Sequence, residues 1–148
     1  FEREVFLDLG GFDTDIGGRK GDKNLQGGET ELGARLQQEY GHGVFYTPAA
    51  RVGHKVFPYR TALRWLLDRA FWQGYSKRAM SVLLPGSTAE ERGFLGDLFR
   101  RHAPRRLAKL LRRPSIAGLL QLVMLFVFTA VVGFGYLYGF RRYPPWAA

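Results

Sequence analysis

Ile116–Phe140 reads IAGLLQLVMLFVFTAVVGFGYLYGF, 25 residues without an Asp, Glu, Lys, Arg or His. As a helix it is ~37 Å long, against a bilayer hydrocarbon core of ~30 Å, so it can span with some tilt. A buried helix of a soluble protein rarely runs this far without a polar face. Its place near the C-terminal end does not suit a signal peptide. Gln121 and Thr129 are the clearly polar side chains within it. Gly135 and Gly139 have the small-xxx-small spacing that lets helices approach closely. Glycine is also simply common in membrane helices, and both readings stand.

The flanks carry the charge. The 148 residues hold 22 basic and 13 acidic side chains, a net charge of +9. Residues 1–99 are neutral, with 13 of each sign. Arg100, Arg101, Arg105, Arg106, Lys109, Arg112 and Arg113 precede the apolar run without one acid, and Arg141 and Arg142 follow it. The positive-inside rule then places the N-terminal side in the cytoplasm, giving a single-pass protein of the cell membrane. Tyr136, Tyr138, Tyr143 and Trp146 would form an aromatic belt at the exit. The basic stretch suits anionic membrane lipids. Nucleic acid is a poor fit, because residues 1–99 offer phosphates no excess charge. With no cysteine, a disulfide scaffold and a cysteine-based zinc site are excluded.

Upstream, the expected organisation is residues 1–60 as a globular part, 61–115 as amphipathic and basic interfacial helices, 116–140 as the membrane helix and 141–148 as a short tail. Residues 1–13 read as a short helix ending at Gly10-Gly11, with Phe12 tucked back into a core. Residues 14–28 read as a mobile loop. Glu29–Tyr40 reads as a helix with acids in its first turn, ended by Gly41. Val44-Phe45-Tyr46 and Arg51–Val56 read as short strands. Thr61–Leu84 reads as an amphipathic helix in which Arg64 and Asp68 form an i,i+4 pair. Phe94–Arg113 reads as a second, basic and interfacial, broken near Pro104. No βαβ nucleotide-binding half is visible. With the opening at Phe1, this makes a C-terminal piece of a longer protein the expectation.

Three groups of residues could carry chemistry. Gly27-Gly28-Glu29-Thr30-Glu31-Leu32 delivers two carboxylates to a helix start. A carboxylate kept ionised there could act as a general base, and acids also favour the first turn for stability alone. His54 stands alone in Arg51-Val52-Gly53-His54-Lys55, and histidines 42, 54 and 102 lack zinc-like spacing. Phe71-Trp72-Gln73-Gly74-Tyr75-Ser76-Lys77-Arg78 joins aromatics, an amide and cations. It suits a sugar or a lipid phosphate, or an interfacial anchor with snorkelling cations.

Taken together, four stretches resemble the C-terminal half of a membrane-anchored family two glycosyltransferase, of the inverting class with the GT-A fold. FEREVFLDLGGFD (1–13) is similar to the family's F-x-R-x-x-F-x-x-x-G-G-F-D segment near the acceptor. GGETELGARL (27–36) is similar to the G-E-D-x-[DE]-L-x-x-R-L segment with the catalytic base. VFYTPAARVGHKV (44–56) is similar to Y-x-P-x-A-x-V-x-H, and DRAFWQGYSKR (68–78) to the R-x-x-x-Q-G-x-S helix. The resemblance covers roughly residues 1–80. It implies an α/β, Rossmann-like partial GT-A domain lacking its N-terminal nucleotide-binding half, followed by interfacial helices and one transmembrane helix.

The same resemblance implies a hexosyltransferase-type transfer from a nucleotide-sugar to an acceptor hydroxyl, with inversion, at the cytoplasmic membrane face. The acceptor would be a lipid-linked or surface-glycan intermediate, as in polysaccharide biosynthesis. Glu29 falls on the base position and Glu31 on the second acidic position. Arg69, Trp72, Gln73 and Lys77 fall where acceptor or diphosphate is bound, and His54 on a histidine near the metal. A divalent metal, Mg or Mn, would be held mainly by the absent half, so the isolated piece is expected to be inactive. Two positions depart from the family: Gly28 stands where Glu is usual, and Glu29 where Asp is usual. Asp13 and Asp15 spell Asp-x-Asp but follow the GGF segment, the wrong place for the metal motif. The alternative is a non-catalytic anchor or assembly module that binds anionic lipid and a protein partner.

Overall fold

The computed structural model describes residues 2–41, 43, 45–83 and 89–144. Helix α1 (Arg3–Asp8) stops at two glycines in the left-handed region, Gly10 at φ 73° and Gly11 at φ 72°. Gly10 N–H donates to Leu7 O and Gly11 N–H to Phe6 O, each at 2.9 Å. This doubled closure needs positive φ and satisfies carbonyls that the helix end leaves open. Phe12 does fold back, edge-on to Phe6 at 5.5 Å, yet its side chain stays half exposed.

The expected mobile loop at 14–28 is instead ordered around an antiparallel hairpin, β1 (Gly18–Lys20) and β2 (Lys23–Leu25). Gly18 faces Leu25 and Lys20 faces Lys23, so Gly21-Asp22 is a two-residue turn, with Gly21 at φ 59°. A glycine at that turn carries the positive φ that a tight hairpin requires. Ile16 and Leu25 on this unit are buried, which gives it something to pack.

Helix α2 (Gly28–Tyr40) follows and ends at Gly41, as its pattern predicts. The two short strands expected at 44–46 and 51–56 are not formed. Phe45, Tyr46 and residues 51–56 are extended or irregular and exposed, while Val44 lies outside the described residues. Isolated strands find no ladder partner here, and the described sheet has two strands only. A single 3-10 turn (Pro58–Thr61) leads into α3. The described residues form a mostly helical chain with one hairpin, and the expected α/β GT-A arrangement is not displayed among them.

Helix α3 (Leu63–Leu83) is the centre of the structure. Its Tyr75, Ala79 and Met80 form the core with Ile16 and Leu25, and Trp72 and Tyr143 pack around them. The expected Arg64–Asp68 pair is not made. Asp68 pairs across to Arg19 of β1 at 3.5 Å and accepts from Trp72 Nε1 at 3.2 Å. Helices α4 (Ala89–Asp97) and α5 (Ala103–Arg112) are joined by a π turn, Leu98–His102, with no break at Pro104. Proline is tolerated in the first turn of α5, where its missing N–H is not needed.

Helix α6 (Ile116–Gly139) is long and apolar enough to cross a membrane. Ser115 caps it, its Oγ accepting from Gly118 N–H at 3.1 Å. Its last turns lie against α3, and the small-xxx-small pair makes that contact. A Cβ at Gly135 would overlap the carbonyl oxygen of Phe71, and one at Gly74 that of Val132. A Cβ at Gly139 would come within 2.8 Å of Arg78 Cβ. The contacts advance in the same sense on both helices, so α3 and α6 run parallel. Tyr138 lies tilted on Phe71 at 5.5 Å and Tyr143 edge-on to Tyr75 at 5.8 Å, while Tyr138 keeps an exposed edge and Trp146 lies outside the described residues.

Candidate active site

Three of the four sequence motifs meet. The hinge is Ser76, 2% exposed on α3. Its Oγ accepts from Gln26 N–H at 2.8 Å and donates to Trp72 O at 2.7 Å. This bond sets the loop Gln26-Gly27-Gly28 onto the Gln73-Gly74-Tyr75-Ser76 segment. Gly27, at φ 108°, then turns the chain into α2.

Glu29 and Glu31 share the first turn of α2 but not their surroundings. Glu29 is exposed, and among the described residues no hydrogen bond or ion pair engages its carboxylate. Glu31 is 5% exposed and is gripped by Arg35, through Nε to Oε1 and through Nη2 to Oε2 at 2.7 Å. The same guanidinium donates to Leu9 O and, at 2.7 Å, to Gly11 O. So Glu31 and Arg35 fasten α2 to the glycine turn after α1. The hydrogen bond to Glu31 holds Arg35 above its already high ordinary pKa, against the opposing pull of burial.

On α3, Trp72 is half-buried, with Arg19 5.9 Å over its ring and Tyr75 edge-on at 5.2 Å. Arg69 is exposed and stands 5.9 Å over Trp65. Gln73 and Lys77 are half-buried, and burial lowers the Lys77 pKa. His54 is exposed on an irregular segment, apart from the packed motifs. Among the described residues no group of three or more His, Asp or Glu could hold a metal ion. The described residues therefore do not by themselves make a divalent-metal site.

A cleft of about 410 Å³ opens beside the hairpin, lined by Asp13, Asp15, Asp22, Lys23, Leu83 and Tyr143 among others. It does not include Glu29. Sequence reading missed Ser76, Arg35 and Arg78 as individual actors. All three lay inside quoted motifs, so their positions were visible while their partners were not. Arg78 is 7% exposed, donates from Nε to Tyr143 O at 2.7 Å and lies 4.1 Å over Phe140.

Over 139 residues the chain is 48% identical to the glucosyl-dolichyl phosphate glucuronosyltransferase of Haloferax volcanii. It is a homologue of a glycosyltransferase. The matched stretch is 94% of this chain and 44% of that protein, so the chain spans less than half the length of its relative. No family model matches, and no solved structure matches.

Proposed function

We propose that this chain is the acceptor-side part of a glycosyltransferase that works at the cytoplasmic membrane face. It would move a sugar from a nucleotide-sugar to the hydroxyl of a lipid-linked acceptor, with inversion. The observation that carries this is the Ser76–Gln26 bond, which joins the carboxylate-bearing loop to a helix packed on the apolar α6. The relative's name, a glucuronosyltransferase for glucosyl-dolichyl phosphate, supports a polyprenyl-phosphate-linked sugar as the acceptor and an activated hexuronic acid as the donor in this reading.

In this reading Glu29 is the base. The partial positive charge at the α2 N-terminus keeps its carboxylate ionised. It takes the proton from the acceptor hydroxyl as that oxygen bonds to the anomeric carbon. The nucleoside diphosphate leaves from the opposite face with the bonding pair, which inverts the centre. Glu31 holds α2 in place through Arg35 and touches no reactant. Trp72, Gln73, Arg69 and Lys77 offer an aromatic face, an amide and cations to sugar and phosphate. A bound divalent metal would offset charge on the leaving diphosphate. In this reading its ligands lie in the rest of the whole protein.

The test uses the whole protein. Glu29→Gln should abolish transfer, by about 10²-fold or more, while nucleotide-sugar binding is retained. Unchanged turnover would sink the base assignment. A donor panel of activated hexuronic acids and hexoses then reads the sugar class. The isolated chain should transfer nothing. The second reading, a non-catalytic anchor that binds anionic lipid and a partner protein, is favoured by the exposed cations of α5. Donor-dependent transfer by the whole protein separates the two.

A further inference from the structure

We infer that α6 lies along the membrane surface as a monotopic insert, with Ile116, Leu119, Val123, Phe126, Phe134 and Leu137 in the acyl region and both helix ends on the same side. This departs from the single-pass span that length and composition alone suggest.

Three observations lead there. The first is connectivity. The chain runs from α3, whose Phe71–Arg78 stretch grips Val132–Gly139, back to Ile116 through residues 84–115. If α6 crossed the bilayer, that return path would have to cross as well. Residues 89–113 carry three carboxylates and eight Lys or Arg side chains, which hydrocarbon does not accept. The second is α3 itself. Because α3 runs parallel to α6, Arg64, Asp68 and Arg69 lie alongside the middle of a spanning helix, below Phe71.

The third is the division of α6 into two faces. Gly118 packs against Leu110 of α5, and Gln121 accepts from Arg106 Nη1 at 2.9 Å. Val132, Gly135, Tyr136 and Gly139 meet α3. Steps of three and four put all of these on one stripe, so the polar protein covers the same side at both ends of the helix. The six apolar residues named above are exposed on the opposite side along the full ~36 Å. The polar face is supplied by the cationic protein packed on both ends of α6, and the occupant that the opposite apolar stripe fits is an anionic bilayer surface. The arrangement also places Arg100–Arg113 and Arg141-Arg142 on one face, as the positive-inside rule favours.

The inference rests on the membrane reading of this helix and not on sugar transfer. Failure of the whole protein to transfer sugar would leave the following results intact. The chain has no cysteine, so within it single labels are clean, and any cysteine elsewhere in the whole protein would first be replaced by serine. Pro114→Cys and Pro144→Cys variants of the whole protein would be treated with an impermeant maleimide in sealed membrane vesicles of known sidedness. Both should label from the same side. Labelling from opposite sides overturns the inference. Nitroxides at Phe126→Cys and Phe134→Cys, on the exposed stripe, give a second reading in phosphatidylcholine–phosphatidylglycerol vesicles. Equal, shallow depths support an in-plane helix. Depths differing by ~12 Å, the rise over eight residues, or no lipid contact at either label, overturn it.

Discussion

A carboxylate at position 29 faces solvent at the start of α2, whereas the one at 31 lies inside a guanidinium fork. Substitution should separate them. Glu31→Ala strips a quarter-exposed guanidinium of its counter-charge and loosens the Leu9 and Gly11 carbonyls it holds, so it should destabilise by about 1–2 kcal/mol. Glu29→Gln should leave the melting temperature within about 1 °C, because an exposed side chain away from packing contributes little. Equal melting losses in the two variants would contradict this division. Tyr75 gives a pH signature. Burial first, and then neighbouring Tyr143, raise its pKa above the ordinary 10. In the unfolded chain the phenol ionises near 10 while the folded one keeps its proton, so its stabilising contribution is complete below pH 10 and lost as pH rises through the folded value. Lys77 acts oppositely: burial lowers its pKa, so rising pH toward 10.5 favours the fold. Denaturant midpoints between pH 10 and 11.5 should therefore fall less steeply for Tyr75→Phe than for the unaltered protein. Parallel slopes would remove Tyr75 from the account.

Among the elements, the α3–α6 crossing makes the sharpest demand on the sequence. At Gly135 and Gly74 the added methyl would meet backbone oxygen, which cannot rotate away, so the helices must part. Gly133 sits two residues from Gly135 in the same helix with open space around it. Gly135→Ala should cost about 1–3 kcal/mol of stability in detergent, the range for overpacking. Gly133→Ala should gain up to about 1 kcal/mol through helix propensity. The same sign for both would mean that the helices do not touch. The helices were legible in the sequence because each is written locally: Gly10-Gly11 and Gly41 as stops, acids at the α2 start, a 25-residue apolar run for α6. The hairpin was harder to see, since Gly21-Asp22 sits among glycines and lysines that look merely polar. The strands at 44–46 and 51–56 were over-read, because a strand depends on a neighbour that local pattern cannot supply. In the candidate site, Glu29 and Ser76 were in plain view, but the Ser76–Gln26 bond spans 50 positions and the Arg35 fork spans 24 to 26. Such pairings are properties of packing, not of spacing.

At the scale of the whole molecule, the net charge of +9 is a collar at the ends of one apolar helix, and it should act as one. Arg105, Lys109 and Arg112 are exposed on α5 beside exposed Leu107 and Leu111. Each basic group near an anionic surface contributes about 1 kcal/mol, so replacing all three by Gln should remove about 3 kcal/mol. That is roughly a 100-fold loss of affinity for phosphatidylglycerol-containing vesicles. Vesicles of phosphatidylcholine alone carry no net charge and should bind the variant and the unaltered protein equally. Raising salt to 1 M shortens the screening length to ~3 Å, which should bring the unaltered protein close to the variant on anionic vesicles. What remains at high salt is the apolar face of α6, whose exposed Phe126, Phe134 and Leu137 no ion screens. Co-sedimentation at low and high salt measures both contributions. Equal binding of the two proteins to anionic vesicles at low salt would show that the collar serves solubility and not attachment.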